Sequence, residues 1–174
     1  PEFRGNHFSV DNAQNLVHRC LLVPDGAGYS ARRPTDDEKC EFLTSTEQWF
    51  RPVNLTTGPD GALYVVDMYR SIIEDYSAIP RYLQQIYIES LIAGADKGRI
   101  WRIVAEPGAK LERADLSAAG PMELVTALSS GNAWRRQTAQ RLLIERGNRE
   151  AVPALAALAG EGKTPQARLH ALYA

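Results

Sequence analysis

The sequence predicts an antiparallel β region at the front of the chain and an all-α region of stacked helices behind it, and three observations carry that reading. The stretch Gly58-Pro59-Asp60-Gly61-Ala62-Leu63-Tyr64-Val65-Val66-Asp67 is a tight turn feeding an apolar, β-branched run. Pro presets φ near −65°, Gly tolerates φ > 0 and Asp bonds its own backbone, so Pro-Asp-Gly is a turn with a mechanism, and the run after it has strand propensity without a helical period. Further on, Gly98-Arg99-Ile100-Trp101-Arg102-Ile103-Val104 alternates large apolar with basic residues, the pattern of a half-buried strand. From Pro121 onward the apolar period changes from two to about 3.6, which is helical.

Taken in order, Asn6 to Asp11 and Asn15 to Val23 read as two strands of a hairpin joined by the polar Asn12-Ala13-Gln14. Pro24-Asp25-Gly26 repeats the turn chemistry of Pro59, and residues 28–41, polar and aperiodic, read as a surface loop. Phe50 to Leu55 is a short strand whose Pro52 requires an edge or an unpaired nitrogen. After Asp67 the pattern breaks, and a helical insertion at about 78–93 is predicted, with Arg81 to Tyr87 helical behind Pro80. The β region is thus expected over 1–106, closed by Pro107-Gly108, with a linker over 107–119 and helices over 120–174. In the last span Met122, Leu124, Val125 and Leu128 mark one helix. Ala133, Trp134, Thr138, Leu142, Leu143 and Ile144 mark a second, ended by Gly147, with its Trp134 and Leu142 side buried. Val152, Leu155, Ala156 and Leu158 mark a third, ended by Gly160, and Ala167 to Ala174 begin a fourth. Short antiparallel helices rich in small Ala residues suit an α-solenoid.

With 174 residues and 44% apolar content the composition is globular. A formal net charge of −1 and a pI near 6.4 give no general argument for nucleic acid or an anionic membrane as partner. Charge is uneven: residues 1–118 carry 13 basic and 17 acidic side chains, residues 119–174 carry 7 and 4, an excess that a solvated helix face explains. No membrane span is predicted, because no run reaches about 18 apolar residues. The chain starts at Pro1 without a charged-then-apolar leader and stops at Ala174 inside a helical pattern, so a piece of a longer protein is expected. Cys20 and Cys40 form no Cys-x-x-Cys and are too few for a four-ligand zinc site. They are read as two free thiols, or as one disulfide if the protein is exported.

The pairing of Gly58 to Asp67 with Gly98 to Ile103 resembles a closing blade of the glucose/sorbosone dehydrogenase-type β-propeller. In order, Asn15-Leu16-Val17-His18-Arg19, Glu41-Phe42-Leu43, Trp49-Phe50-Arg51-Pro52-Val53, Asp67-Met68-Tyr69-Arg70 and Gly94-Ala95-Asp96-Lys97-Gly98-Arg99 resemble the large multidomain membrane-bound dehydrogenase-type proteins of planctomycetes and related bacteria. The resemblance covers about residues 5–174. It implies a β-propeller fragment followed by an all-α, HEAT-like solenoid, and a periplasmic or cell-surface location. In the parent protein it implies sugar or alcohol oxidation, with electrons passing to a c-type haem domain. The alternative it leaves is a non-catalytic propeller that binds a glycan or a protein, with the HEAT-like repeats as an interaction scaffold. The remaining propeller blades and downstream repeats of the parent are the implied partners.

Quinoprotein members of that class hold pyrroloquinoline quinone with a lysine and with two arginines spaced Arg-x-Arg before the last turn-strand unit. On that pattern Arg51 matches the second arginine, Trp49 stands where the first would be, and the lysine position falls on Ala13 or Gln14. Two lost donors, at roughly 1.5–3 kcal/mol per charged hydrogen bond, leave the set incomplete. No cofactor is therefore expected in this chain, and pyrroloquinoline quinone or c-type haem only in the full-length parent.

Arg51 is the cofactor-binding candidate, read either as facing a central channel or as bridging Asp67 or Asp96 within the blade. His18, Arg19, Asp67, Arg70 and Asp96 complete the candidate polar residues. His18 and Arg19 are neighbours on one strand, so one faces the core and the other solvent. Asp11, Asp67 and Asp96 end or follow strands, where oxygen ligands for Ca²⁺ can gather, but they lack the close ligand series of an EF-hand and are read as closing the blade by hydrogen bonds. No catalytic residue and no metal site are assigned. Trp49, Phe50, Tyr64, Tyr69 and Trp101 are read as packing, with carbohydrate stacking as the alternative, and Arg135, Arg136, Arg141 and Arg146 as a solvated helix face.

Overall fold

The computed structural model describes residues 3, 5–104 and 113–174, the Tyr76 side chain excepted. It divides into two compact units, one of Pro1–Thr56 with Tyr64–Arg102 and one of Thr57–Leu63 with Ile103–Ala174. Antiparallel sheets occupy the N-terminal part and helices the C-terminal part. The predicted stop at Pro107-Gly108 lies outside the described residues.

In the first unit β1 (Asn6–Asp11) pairs with β2 (Leu16–Asp25) in the register Asp11 to Leu16 through Asn6 to Leu21. The turn is capped by Asp11, whose Oδ1 accepts the backbone N–H groups of Ala13 and Gln14 at 3.0 and 2.9 Å. Asn15 closes it at φ 61° and donates from Nδ2 to the carbonyl of Gln48 at 3.1 Å. Beyond Leu21 the same strand pairs with β3 (Gly28–Arg32), Asp25 opposite Gly28 and Gly26 at φ 59°. Residues 28–32 are therefore a strand where a loop is predicted. All five are exposed, so no face alternates, and the Pro24-Asp25-Gly26 turn and the partner strand impose the conformation. A two-residue β4 (Leu43–Thr44) lies on the other part of β2. Val17 is fully buried, and Phe3, Phe8 and Phe42 form an edge-to-face cluster with centroids 4.8 to 6.3 Å apart.

The second sheet runs β5 (Pro52–Thr57), β6 (Leu63–Asp67), β7 (Arg99–Ile103). Pro52 sits on an edge strand, as its missing N–H requires. Between β5 and β6 the Gly61 N–H donates to the Gly58 carbonyl at 3.0 Å, the Ala62 N–H donates to Asp60 Oδ1 at 3.0 Å, and Gly61 takes φ 81°. Asp60 and Gly61 thus do what their chemistry predicts. Between β6 and β7 stand α1 (Arg81–Ile86), behind Pro80, and α2 (Ile88–Ile92). β7 is more exposed than its alternation predicts, Ile100 at 66% and Trp101 at 44%, because it is the other edge strand.

The helical unit contains α3 (Pro121–Ala127), α4 (Ala133–Arg146), α5 (Val152–Glu161) and α6 (Pro165–Leu172). Asn132 caps α4 by accepting the Trp134 N–H at 2.9 Å, Thr164 caps α6, and Gly147 ends α4 at φ 59°. Asn132 also donates from Nδ2 to the carbonyls of Gly58 and Pro59 at 3.2 Å each, so the turn that carries the strand signal is held by a helix cap. Leu116, Leu124, Leu128, Leu143, Leu155 and several alanines make the core. Two expectations change here. α5 continues through Gly160 and ends at Gly162. The buried stripe of α4 is Ala139 and Leu143, with Trp134 and Leu142 only half-buried. Arg146 is exposed, as a solvated face requires, but its guanidinium also donates to the carbonyls of Ala119 and Ser117 at 2.7 and 2.8 Å, pinning the segment before α3.

Candidate functional site

The period of two along β6 places Val65 and Asp67 on one face, and both are buried, Asp67 to 1% exposure. A buried carboxylate needs its lone pairs satisfied, and here four donors converge on it. Oδ1 accepts the backbone N–H groups of Arg51 and Tyr69 at 2.9 and 3.0 Å, and Oδ2 accepts Arg99 Nε and Trp101 Nε1 at 3.0 Å each. Burial pushes the Asp67 carboxyl up, but the hydrogen bonds from Arg51, Trp101, Arg99 and Tyr69 together outweigh it and hold the group below its ordinary value. Asp67 in turn, by a hydrogen bond, raises the Arg99 guanidinium above its usual range.

Two backbone features surround this carboxylate. Tyr69 adopts φ 51°, a left-handed conformation costly for an aromatic residue, with its N–H tied to Asp67. Its carbonyl lies against Gly94, at φ 84°, where an added Cβ would stand 2.3 Å from the Tyr69 oxygen. Glycine is therefore required there. On the side-chain level the Arg99 guanidinium lies 3.8 Å over the Tyr69 ring and 4.9 Å over the Trp101 ring, and Trp49 packs on Tyr69 at 5.6 Å.

The Arg51 guanidinium bonds backbone carbonyls rather than the Asp67 or Asp96 carboxylate. Nε donates to the Arg70 carbonyl and Nη2 to the Ser71 carbonyl, both at 3.0 Å, while Nη1 donates to the Asn12 carbonyl at 2.9 Å and the Ala13 carbonyl at 3.3 Å. Its link to Asp67 runs through its backbone N–H. The guanidinium is a clamp on the 12–13 turn and the 70–71 segment. Arg70 donates from Nη1 to the Ile92 carbonyl at 3.1 Å, and Asp96 is exposed in the loop before β7.

The remaining candidates form separate pairs. Arg19 is the buried member of the His18–Arg19 pair, at 6% exposure, and donates from Nε to Asp37 Oδ2 at 2.7 Å with Phe3 under its guanidinium at 5.0 Å. His18 Nδ1 meets Glu41 Oε2 at 2.6 Å, and Arg33 donates to Glu41 Oε1 at 2.6 Å. The hydrogen bond from His18 is the main reason the Glu41 carboxyl lies below its ordinary value, ahead of the bond from Arg33. Arg33 and Glu41 line an open depression of about 600 Å³ with Glu38, Lys39, Cys40 and Thr44. Cys20 and Cys40 are both free thiols, and Cys40 is exposed rather than packed.

Asp67, Arg51 and Arg70 are thus brought together, whereas His18, Arg19 and Asp96 belong elsewhere on the unit. Arg99 and Glu41 were not among the predicted site residues. The alternation Arg99-Ile100-Trp101 was the available signal for the first, since it puts Arg99 and Trp101 on one face; nothing local marks Glu41 as the partner of His18. Among the described residues no group of three or more His, Cys, Asp or Glu side chains is arranged to hold a metal ion, and no helix is long and apolar enough to cross a membrane.

Neither the curated proteins nor the solved structures include a match to this chain. One family model, described as a domain of unknown function (DUF7133), matches residues 1–107 and so spans both sheets and the helical insertion between β6 and β7. With more than half of its length matched, the chain belongs to the DUF7133 family.

Proposed function

We infer that this chain is an architectural, non-catalytic segment of a larger exported dehydrogenase-like protein: closing blades of a β-propeller followed by the first HEAT-like repeats. The observation that carries the non-catalytic reading is the Arg51 guanidinium, committed to the carbonyls of Asn12, Ala13, Arg70 and Ser71. Arg51 is the single residue of this chain that lines up with a quinone-binding arginine, and a tricarboxylate cofactor needs several fixed cationic donors. A guanidinium already bonded to four carbonyls is a poor one. The residues present therefore do not fit pyrroloquinoline quinone, and the quinone or a c-type haem belongs to other parts of the parent. The hairpin grammar of β5, β6 and β7 supports the propeller reading, and the small-residue packing of α3 to α6 supports the repeat reading. The remaining blades and downstream repeats are its partners, and the periplasm or cell surface its location.

A redox assay tests this with the full-length protein and with residues 1–174, using sugars and alcohols, an artificial electron acceptor, and added quinone. Turnover by the full-length protein and none by residues 1–174 is expected. A full-length protein inert with and without quinone overturns the dehydrogenase-like reading, and turnover by residues 1–174 alone overturns the architectural one. A second reading, a glycan- or protein-binding module with a helical scaffold, is favoured by one feature: Trp101 is 44% exposed with the Arg99 guanidinium over its ring.

A further inference from the structure

Five side chains of the first unit, two cationic and three aromatic, form a ladder. Lys97 Nζ stands 6.0 Å over the Trp49 ring, Trp49 packs on Tyr69 at 5.6 Å, and the Arg99 guanidinium lies 3.8 Å over Tyr69 and 4.9 Å over Trp101. Arg99 is fixed by Nε on Asp67 Oδ2, which leaves the Nη1/Nη2 end of the guanidinium pointing away from that carboxylate, with the side chain 39% exposed. Among the described residues those two groups donate to no carboxylate or carbonyl, the Tyr69 hydroxyl being the guanidinium's other hydrogen-bond partner, and Lys97 has no ion pair. A guanidinium held this way has already lost the rotamer freedom that ligand binding usually costs.

We propose that this ladder is a binding site for an acidic polysaccharide, with successive uronate carboxylates on the Arg99 Nη end and on Lys97, and a sugar face on the Trp101 indole. The end-on fork of a guanidinium matches a planar carboxylate in a bidentate pair. The exposed indole, its N–H already bonded to Asp67, offers a ring face of fixed orientation. A nucleic acid fits less well. Its phosphates call for a series of cations, whereas the period of two along β7 puts Arg102 on the face opposite Trp101. This inference rests on the binding-module reading and names its ligand. It does not depend on whether the parent is a dehydrogenase.

The test uses the full 174-residue chain against immobilised polygalacturonate, dextran sulfate, neutral dextran and single-stranded DNA. Retention on polygalacturonate is expected, weakened by salt and reduced about tenfold in Lys97→Gln and in Trp101→Ala. Trp101→Phe loses the bond to Asp67 but keeps a ring, so it is expected to stay bound. Lys97→Gln removes no hydrogen bond of the Asp67 cluster, so its loss of binding reports the site rather than the fold. Preference for dextran sulfate or DNA, equal retention on neutral dextran, or undiminished binding by both Lys97→Gln and Trp101→Ala overturns the acidic-sugar site. Retention on none of the four overturns it together with the glycan-binding reading, while the redox assay of the parent stands apart from either result.

Discussion

Arg51 and Asp67 are joined through the backbone of one and the side chain of the other: the Arg51 N–H donates to Asp67 Oδ1 at 2.9 Å, and the Arg51 carbonyl accepts the N–H of Met68, the next residue, at 2.9 Å. The side chain of Arg51 is thereby free to reach other segments, and the side chain of Asp67 becomes the point where β6, β7 and the chain before β5 meet.

Replacing Asp67 by Asn keeps the shape but removes the charge, and one of the two terminal atoms changes from acceptor to donor, facing donors. A loss of about 2–4 kcal/mol is expected, the range for breaking a buried, hydrogen-bonded ion pair from one side. Urea unfolding of the two proteins measures it. A difference under about 0.5 kcal/mol, the size of an ordinary surface effect, would contradict the role assigned to Asp67.

The same carboxylate predicts acid sensitivity. Because its folded pKa lies below the ordinary value of 3.8, its contribution is fully present above the unfolded pKa and is lost as pH falls through the folded one. Stability measured between pH 7 and pH 2 should therefore fall below about pH 4 more steeply in the wild type than in Asp67→Asn. Parallel curves would count against it.

Much of this was legible in the sequence, and the failures have a common cause. The Gly58 to Gly61 turn, the β1–β2 hairpin, the β6 strand and the insertion behind Pro80 each depend on contacts within a few residues, and local chemistry settled them. β3 is exposed throughout, so no pattern marks it, and its pairing is dictated by Leu21 to Asp25 on the other strand. The partners of Asp67 lie 32 and 34 residues further on, and Glu41 lies 23 residues from His18, separations at which spacing carries no signal. The carbonyl partners of Arg51 come from two separate segments, 12–13 and 70–71, that only the fold assembles.

Gly94→Ala tests the close approach beside Tyr69. At φ 84°, with the Tyr69 oxygen 2.3 Å from the added Cβ, the substitution must move backbone, and a loss of about 1–3 kcal/mol is expected. Gly26→Ala, at φ 59° with open space around it, carries only the conformational cost and should lose less, about 1 kcal/mol. Thermal unfolding of the pair separates the two; equal losses would mean that the Tyr69 contact yields easily.

In the helical unit Asn132 has two tasks, the cap of α4 and the hold on the Gly58 and Pro59 carbonyls. Asn132→Asp keeps the capping oxygen and loses the donors, whereas Asn132→Ala loses both. The expected order of stability is wild type, then Asp, then Ala, with about 1–2 kcal/mol between the ends. Chemical denaturation followed by helical circular dichroism reads it, and an Ala variant as stable as the wild type would remove the cap from the account.

We propose Arg51, the arginine that the resemblance matches to a quinone ligand, as an architectural clamp on the carbonyls of Asn12, Ala13, Arg70 and Ser71. Calorimetric titration of residues 1–174 with pyrroloquinoline quinone, on the wild type and on Arg51→Lys, tests it most directly, with urea unfolding run on the same samples. No saturable binding by either protein is expected, with a lower unfolding free energy for Arg51→Lys, because an ammonium cannot span four carbonyls in the planar geometry of a guanidinium. Stoichiometric quinone binding by the wild type that disappears in Arg51→Lys, with stability unchanged, would contradict it.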